Sequence, residues 1–257
     1  MEISKIVKMK DNKYKIYINN EYIVTYDNVI LENDLLYKKN IDTKLYKKIL
    51  IDTNYYNIYN NIVKLILKRK RSEKEVKLYL KKYEIEENTM QKIINKLKEI
   101  KLIDDVEFCK SYINDKLYLS KSGINKIKNE LLDHNIELNI IEEKLNNVDI
   151  SVLDNRLEKL VIKKINNNKK YSNYLLKQKI LNEMINLGYE KNKILQVLEA
   201  NLTNDISVLN KEFEKNYTKL EKKYNGVELI TKLKQKLLQK GFNIDDINKL
   251  LKEKTEE

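Results

Sequence analysis

The chain has 257 residues and a formal net charge of +12, with 35% charged and 42% hydrophobic residues. That is enough apolar surface for a core, and no apolar run reaches the length of a membrane-spanning helix. A single cysteine excludes a disulfide framework, and with no secretory leader pattern it points to a reducing, cytoplasmic setting. Four glycines, no proline and one histidine leave no Gly-rich phosphate loop, no Cys/His metal cluster and no arguable Ser-His-Asp order, so no catalytic residue, metal or cofactor is expected. Three arginines and one alanine among abundant Lys, Asn, Ile and Tyr suggest AT-rich coding, an alternative source of part of the lysine excess.

Residues 1–26 alternate apolar and polar positions: Ile3, Val7, Met9, then Tyr14, Ile16, Ile18, then Tyr22, Val24, Tyr26. Asp11-Asn12 and Asn19-Asn20 punctuate them, which predicts a small antiparallel β-meander. Three short strands are marginal alone and should lean on the helices that follow. Residues 28–37 and 42–52, the latter capped by Asp42, read as two short helices, so 1–53 forms one segment.

From Asn54 a helical unit repeats. Arg71-Ser72, Lys121-Ser122, Tyr171-Ser172 and Asn225-Gly226 follow one another by 50, 50 and 54 residues. Each precedes an apolar helical stripe, a break and a further short helix. The breaks are Tyr83-Glu84-Ile85, Asn135-Ile136, Gly188-Tyr189 and Gly241-Phe242. A repeat of this length is a supersecondary unit that buries its apolar face against its neighbours. The spacing predicts three-helix repeats over 54–103, 104–148, 149–202 and 203–257, in an elongated curved array.

In the first repeat Ile58, Ile62, Leu65 and Ile66 form one stripe, and Ser72 with Glu75 is a capping box for the helix carrying Val76, Tyr79, Leu80 and Tyr83. Asp104-Asp105 sits where a helix N-terminus favours negative charge, and that role is preferred to a metal or acid–base pair. Cys109 reads as a small buried hydrophobe. In the second repeat Ser122 is the expected cap, Gly123 permits close approach of another chain segment, and His134, near a helix end, is expected to face solvent or to favour the C-terminal dipole. The third repeat starts at Asp149, with Tyr174, Leu181 and Ile185 as its middle stripe and Gly188 as a helix stop. The fourth starts at Asp205, carries Ile230, Leu233, Leu237 and Leu238, and ends in a solvated tail from Lys252.

Positive charge concentrates on the first repeat: 13 Lys/Arg against 6 Glu from Asn54 to Ile103, while Asp104–Val148 holds 6 Lys against 9 Asp/Glu. Lys68, Arg69, Lys70 and Arg71 form a basic junction, continued by Lys74, Lys77 and Lys81 on the face opposite the stripe. These seven are the candidate site for nucleic acid or an acidic groove; the alternative is a solubilising lysine-rich surface. Tyr55, Tyr56 and Tyr59 are candidates for stacking on bases, but packing is preferred. Lys163, Lys164, Lys169 and Lys170 make a second, weaker patch.

The ordered set Arg71-Ser72-Glu73-Lys74-Glu75-Val76 with Tyr79-Leu80, Leu102-Ile103-Asp104-Asp105 with Phe108 and Tyr112, and Gly123, Ile127, Glu130-Leu131 and Asn135-Ile136 resembles the RecX family of RecA regulators, in its longer form with an N-terminal extension. Lys70, Ile124 and Cys109 depart from that pattern. The resemblance implies a cytoplasmic, monomeric modulator, mainly an inhibitor, that binds the RecA filament on single-stranded DNA, with duplex DNA a further partner, and restrains ATP hydrolysis and strand exchange. The rival readings are a nucleic-acid-binding repeat protein with no RecA dependence, and a purely structural scaffold.

Overall fold

The computed structural model describes residues 1–202 and 206–256. It divides into two compact units, Met1–Ser111 with His134–Ile136, and Tyr112–Asp133 with Glu137–Glu257. The architecture is mainly α: helical repeats preceded by a three-stranded antiparallel sheet.

In the first unit β1 (Ile3–Lys8), β2 (Lys13–Ile18) and β3 (Glu21–Tyr26) form a meander in the order β1-β2-β3. The turn residues Asp11, Asn12, Asn19 and Asn20 all take positive φ, as tight hairpins require. The predicted alternation holds in β2 but not in its neighbours. Ile16 pairs with Ile23 and Tyr14 with Thr25, so Ile23 and Thr25 share the inward face while Tyr22 and Val24 point out. In β1 the register shifts between Ile3 and Lys5, which brings Ile3 and Ile6, rather than Val7 and Met9, to the core. That core joins Ile16 and Ile18 to Val29, Ile30, Leu35, Ile41, Ile49 and Tyr56.

After α1 (Asp27–Glu32) and a 3-10 turn (Leu35–Tyr37), α2 runs unbroken from Thr43 to Lys68, its N-terminus capped by Asp42 accepting the Leu45 N–H at 2.6 Å. The expected boundary between residues 53 and 54 therefore falls inside a helix. Asp52, Thr53 and Asn54 include no breaker, and the first two point their polar groups at the extension: Asp52 accepts from Asn33, and Thr53 bonds Thr25 at 2.6 Å. α3 (Glu73–Leu80) and α4 (Glu87–Glu99) complete a core of Ile58, Ile62, Ile66, Val76, Leu80, Met90, Ile93, Ile94 and Leu97. α5 (Asp105–Leu119) buries Phe108, Cys109, Ile113 and Leu117.

The second unit carries α6 (Ile124–Asp133), α7 (Leu138–Asn146), α8 (Ile150–Asn166), α9 (Asn173–Asn186), α10 (Lys191–Asn201), α11 (Ile206–Leu220), α12 (Gly226–Gln239) and α13 (Ile244–Glu256). The expected fourth-repeat start at Asp205 lies outside the described residues. Helix α6 begins one residue later than expected: Gly123 supplies the first carbonyl, to Ile127, so Ser122 precedes the cap position. In α9 the buried face is Leu176, Ile180 and Met184, while Tyr174 and Ile185 are exposed. Both sets have helical spacing, and the packing against α8 and α10 decides between them. The fourth repeat buries Leu229, Leu233 and Leu237, with Ile230 half-buried. The expected tail is instead the end of α13, where Lys254 pairs with Glu214.

One contact recurs between successive repeats. The break after each middle helix holds a left-handed residue: Glu84 (φ 52°), Asn135 (60°), Gly188 (87°) and Gly241 (81°). The start of the preceding repeat's middle helix docks on the last three of these turns. Within the first unit Ser72 Oγ lies 3.2 Å from His134 Nδ1, and Lys74 donates to Asn135. Within the second, the Gly123 N–H donates to the Leu187 carbonyl at 2.6 Å, Asn125 to Gly188, and Ser172 to Lys240 at 3.0 Å. A Cβ on Gly188 would stand 2.3 Å from the Lys126 nitrogen; one on Gly226 would meet nothing within 4 Å.

Also buried in the fourth repeat is an ion pair, Glu212 with Lys240, the carboxylate only 4% exposed. Burial works against the Glu212 charge, but the hydrogen bond and charge of Lys240, with the Asn216 amide, prevail and hold its carboxyl below the usual range. That contribution to stability is complete above the ordinary carboxylate range and is lost as pH falls through the lowered value.

Two predictions follow from the packing. Gly188→Ala should cost about 3 kcal/mol in urea unfolding, from the strained φ and the collision, against about 1 kcal/mol for Gly226→Ala, which carries the φ strain alone; equal costs would contradict the docking contact. Lys240→Met should destabilise by about 3 kcal/mol at pH 7 by stranding a buried carboxylate, and adding Glu212→Gln should recover most of it.

Candidate nucleic-acid interface

The seven cations predicted from the sequence occupy the link after α2, helix α3 and the turn beyond it. α2 ends because Arg69 turns extended (φ −159°), and α3 restarts at once on its capping box: Ser72 Oγ accepts the Glu75 N–H, and Glu75 reaches back to the Ser72 N–H. Four residues of basic linker are thus pinned between two helix ends.

Most of this charge is held by carboxylates. Glu75 receives Arg69 at 2.6 Å and Arg71 at 3.4 Å, and Lys70 meets Glu107 of α5 at 2.8 Å. Glu73 receives Lys77 at 2.7 Å and Lys98 at 2.5 Å. Partial burial opposes the Glu73 charge, yet the two lysines outweigh it and hold its carboxyl below the usual range, while the hydrogen bond to Glu73 raises Lys77. The hydrogen bond from Lys70 likewise lowers Glu107. Lys74 reaches Asn135. Lys68 and Lys81 have no carboxylate within ion-pair distance among the described residues. Glu73 and Glu75 are only 19% exposed, whereas Lys70 and Glu107 are both about half exposed, so theirs is the pair that an incoming phosphate can most readily replace.

The neighbouring acids act as helix caps. Asp104 accepts the N–H groups of Val106 and Glu107 at 3.0 Å, opening α5. Asp105 accepts the Glu73 N–H at 3.1 Å and so caps α3, a long-range role that the sequence did not separate from the first. Burial raises the Asp105 carboxyl above its ordinary range and prevails over the hydrogen bond from the Glu73 N–H, which lowers it. Among the described residues no group of His, Cys, Asp and Glu is arranged to hold a metal ion.

Two other expectations resolve differently. His134 does not face solvent: it is half-buried, bonded to Ser72 Oγ and edge-on to the Phe108 ring at 5.1 Å, because its partners lie far away in the chain. Tyr55, Tyr56 and Tyr59 pack as expected. Tyr56 is 3% exposed with its hydroxyl on Glu32, Tyr55 stacks on Tyr59, and Lys96 sits over the Tyr56 and Tyr59 rings. Burial, then the Glu32 carboxylate, pushes the Tyr56 hydroxyl well above its ordinary pKa.

Of the second basic patch, Lys164, Lys169 and Lys170 line one cleft together with Tyr171 and Lys179. Lys179 was missed by sequence reading. Its place on the second turn of α9, behind a loop that folds back, is the only local signal for it.

No helix among the described residues is long and apolar enough to cross a membrane. No family model matches the chain. The chain is 32% identical to the regulatory protein RecX of Streptococcus thermophilus strain CNRZ 1066 over 266 residues, covering 98% of this chain and 99% of that protein. It is also 32% identical to the regulatory protein RecX of Streptococcus pneumoniae strain Hungary19A-6 over 270 residues, with the same coverage. A crystal structure described as regulatory protein RecX matches the fold with a TM-score of 0.65 at 21% identity, over 77% of this chain and 98% of that one. The crystal structure of RecX from Lactobacillus salivarius matches with a TM-score of 0.51 at 25% identity, over 57% and 95%. With a shared repeat fold and nearly full-length similarity above 30%, the chain belongs to the RecX family of regulatory proteins.

Proposed function

We propose that this chain acts as a monomeric, non-enzymatic modulator of the RecA recombinase, binding the RecA–single-stranded DNA filament and restraining ATP hydrolysis and strand exchange. The observation that carries this reading is the nearly full-length similarity to regulatory proteins named RecX. The exposed basic face from Lys68 to Lys81 supports it. Lys68 and Lys81 are exposed and Lys70 stands in an exposed pair that a phosphate can exchange, and each phosphate contact contributes a salt-dependent, sequence-independent increment of affinity. The second reading, nucleic-acid binding without RecA, rests on the same basic face.

Substoichiometric amounts of the chain should slow single-stranded-DNA-dependent ATP hydrolysis by the cognate RecA, and changing Lys68, Arg69, Lys70 and Arg71 to Glu should abolish this. Unchanged hydrolysis with DNA binding intact transfers the assignment to the stand-alone binder. The ion pairs add a separate expectation. Glu107→Gln releases Lys70 without touching the capping box and should tighten single-stranded DNA binding by about threefold, the equivalent of one exposed pair; weaker binding would show that Lys70 does not face the nucleic acid.

A further inference from the structure

We infer that the third repeat carries a binding site of its own for single-stranded nucleic acid, in the cleft between the end of α8 and the first half of α9. The cleft encloses about 490 Å3, and its floor is apolar, formed by Leu176 and Ile180, both buried in the repeat's core. Lys164, Lys169, Lys170 and Lys179 line it.

This charge differs in kind from that of the first repeat. There the cations are mostly held by Glu73, Glu75 and Glu107. Here the one acid in the lining, Glu183, is taken by Lys164 at 2.6 Å. Lys169, Lys170 and Lys179, and Lys163 just before them, have no carboxylate within ion-pair distance among the described residues. Two of the ammonium groups gather on one ring, Lys179 at 4.5 Å and Lys170 at 5.8 Å from the centre of Tyr171. A cluster of unpaired cations around a concave, low-dielectric surface concentrates positive potential and attracts anions.

The backbone that carries the lysines is already fixed. Asn168 Oδ1 accepts the N–H groups of Lys170 at 3.2 Å and Tyr171 at 3.0 Å, and its Nδ2 donates to the Tyr171 carbonyl at 2.7 Å. Ser172 then caps α9 and donates to Lys240. Binding therefore orders side chains but not the loop, which lowers its entropic cost. The aromatic component is Tyr171, which lines the cleft with Lys170 and Lys179 against its ring; Tyr174, exposed where the sequence pattern had placed it in the core, is not part of the lining. Lysines for phosphates, with apolar side chains and the Tyr171 ring for base faces, suit an unpaired strand, since a duplex hides those faces.

The site stands independently of the RecA proposal and is tested without RecA. Anisotropy of a labelled oligo-dT would be measured with the full chain, with Lys169→Glu/Lys170→Glu/Lys179→Glu, and with the control Lys222→Glu/Lys223→Glu/Lys232→Glu, which changes net charge equally on the exposed surface of the fourth repeat. The site variant should bind at least tenfold more weakly, and its log–log salt slope should shrink by about 2, three phosphate contacts on a single strand. The control should change affinity by less than threefold. Tyr171→Leu, which keeps the apolar packing, should lower affinity about fivefold at an unchanged slope, the signature of a stacking contact. A milder triple change to Gln, with circular dichroism matching the wild type, should reproduce the loss and separates binding from folding. Equal losses in the site and control variants would overturn the assignment, because only net charge would then matter. Displacement of the oligonucleotide by poly-glutamate or inorganic phosphate at equal charge concentration would overturn it too.

Discussion

The structure depends on a meeting of opposite helix ends. A helix N-terminus has unpaired N–H groups and a C-terminus unpaired carbonyls, and neither end is stable when buried alone. In this protein the start of one middle helix is set against the turn that ends the next, so the Gly123 N–H finds Leu187 and the Ser172 N–H finds Lys240. Each contact satisfies both ends and places the partial charges of two helix dipoles in favourable order. The requirement propagates into the sequence. The turn must be left-handed and the surfaces must come within backbone distance, which is why glycine stands at 123, 188 and 241. Where no glycine is available, at Asn135, side chains from His134 and Lys74 close the gap.

On this frame charge is distributed in two distinct ways. The first repeat has more lysine and arginine, yet carboxylates of α3 and α5 hold Arg69, Lys70, Arg71 and Lys77 of its candidate set and tie down the linker between α2 and α3. The third repeat has fewer cations, but they converge on a cleft whose only acid is already engaged. A count of charge along the sequence ranks the first above the third; pairing in space leaves Lys68 and Lys81 of the first candidate set, against Lys163, Lys169, Lys170 and Lys179 around the third repeat's cleft, with no carboxylate at ion-pair distance among the described residues. Both surfaces lie on loops and first turns, where side chains are free of core packing and bases or phosphates have access.

What was legible in the sequence was local. The Ser72–Glu75 box, the caps at Asp42 and Asp104, and the helix stops at Gly188 and Gly241 all depend on neighbours within a few residues. What was not legible depended on partners far along the chain. The inward face of β3 follows from Ile16 pairing with Ile23, and a single register shift in β1 reverses its alternation. In α9 two stripes share the same period, and only the neighbouring helices choose Leu176, Ile180 and Met184. Nothing near His134 in sequence reveals Ser72, and nothing near Lys70 reveals Glu107, 37 residues away. The candidate cations could thus be named from sequence, but not their neutralisation.

The docking between successive repeats has an evolutionary corollary. It is made largely by main-chain atoms and by the absence of a side chain, so it asks little of the residues around it. Sequences can drift widely in lysine, asparagine and isoleucine content while the stacking rule survives, and whole units can be gained or lost by duplication or deletion without inventing a new joint. Gly226 stands where Gly123 stands in the second repeat, but with a positive φ and open space where a Cβ would point. The number of repeats is therefore a matter of gene history, since pairwise joints of this kind impose no count of their own.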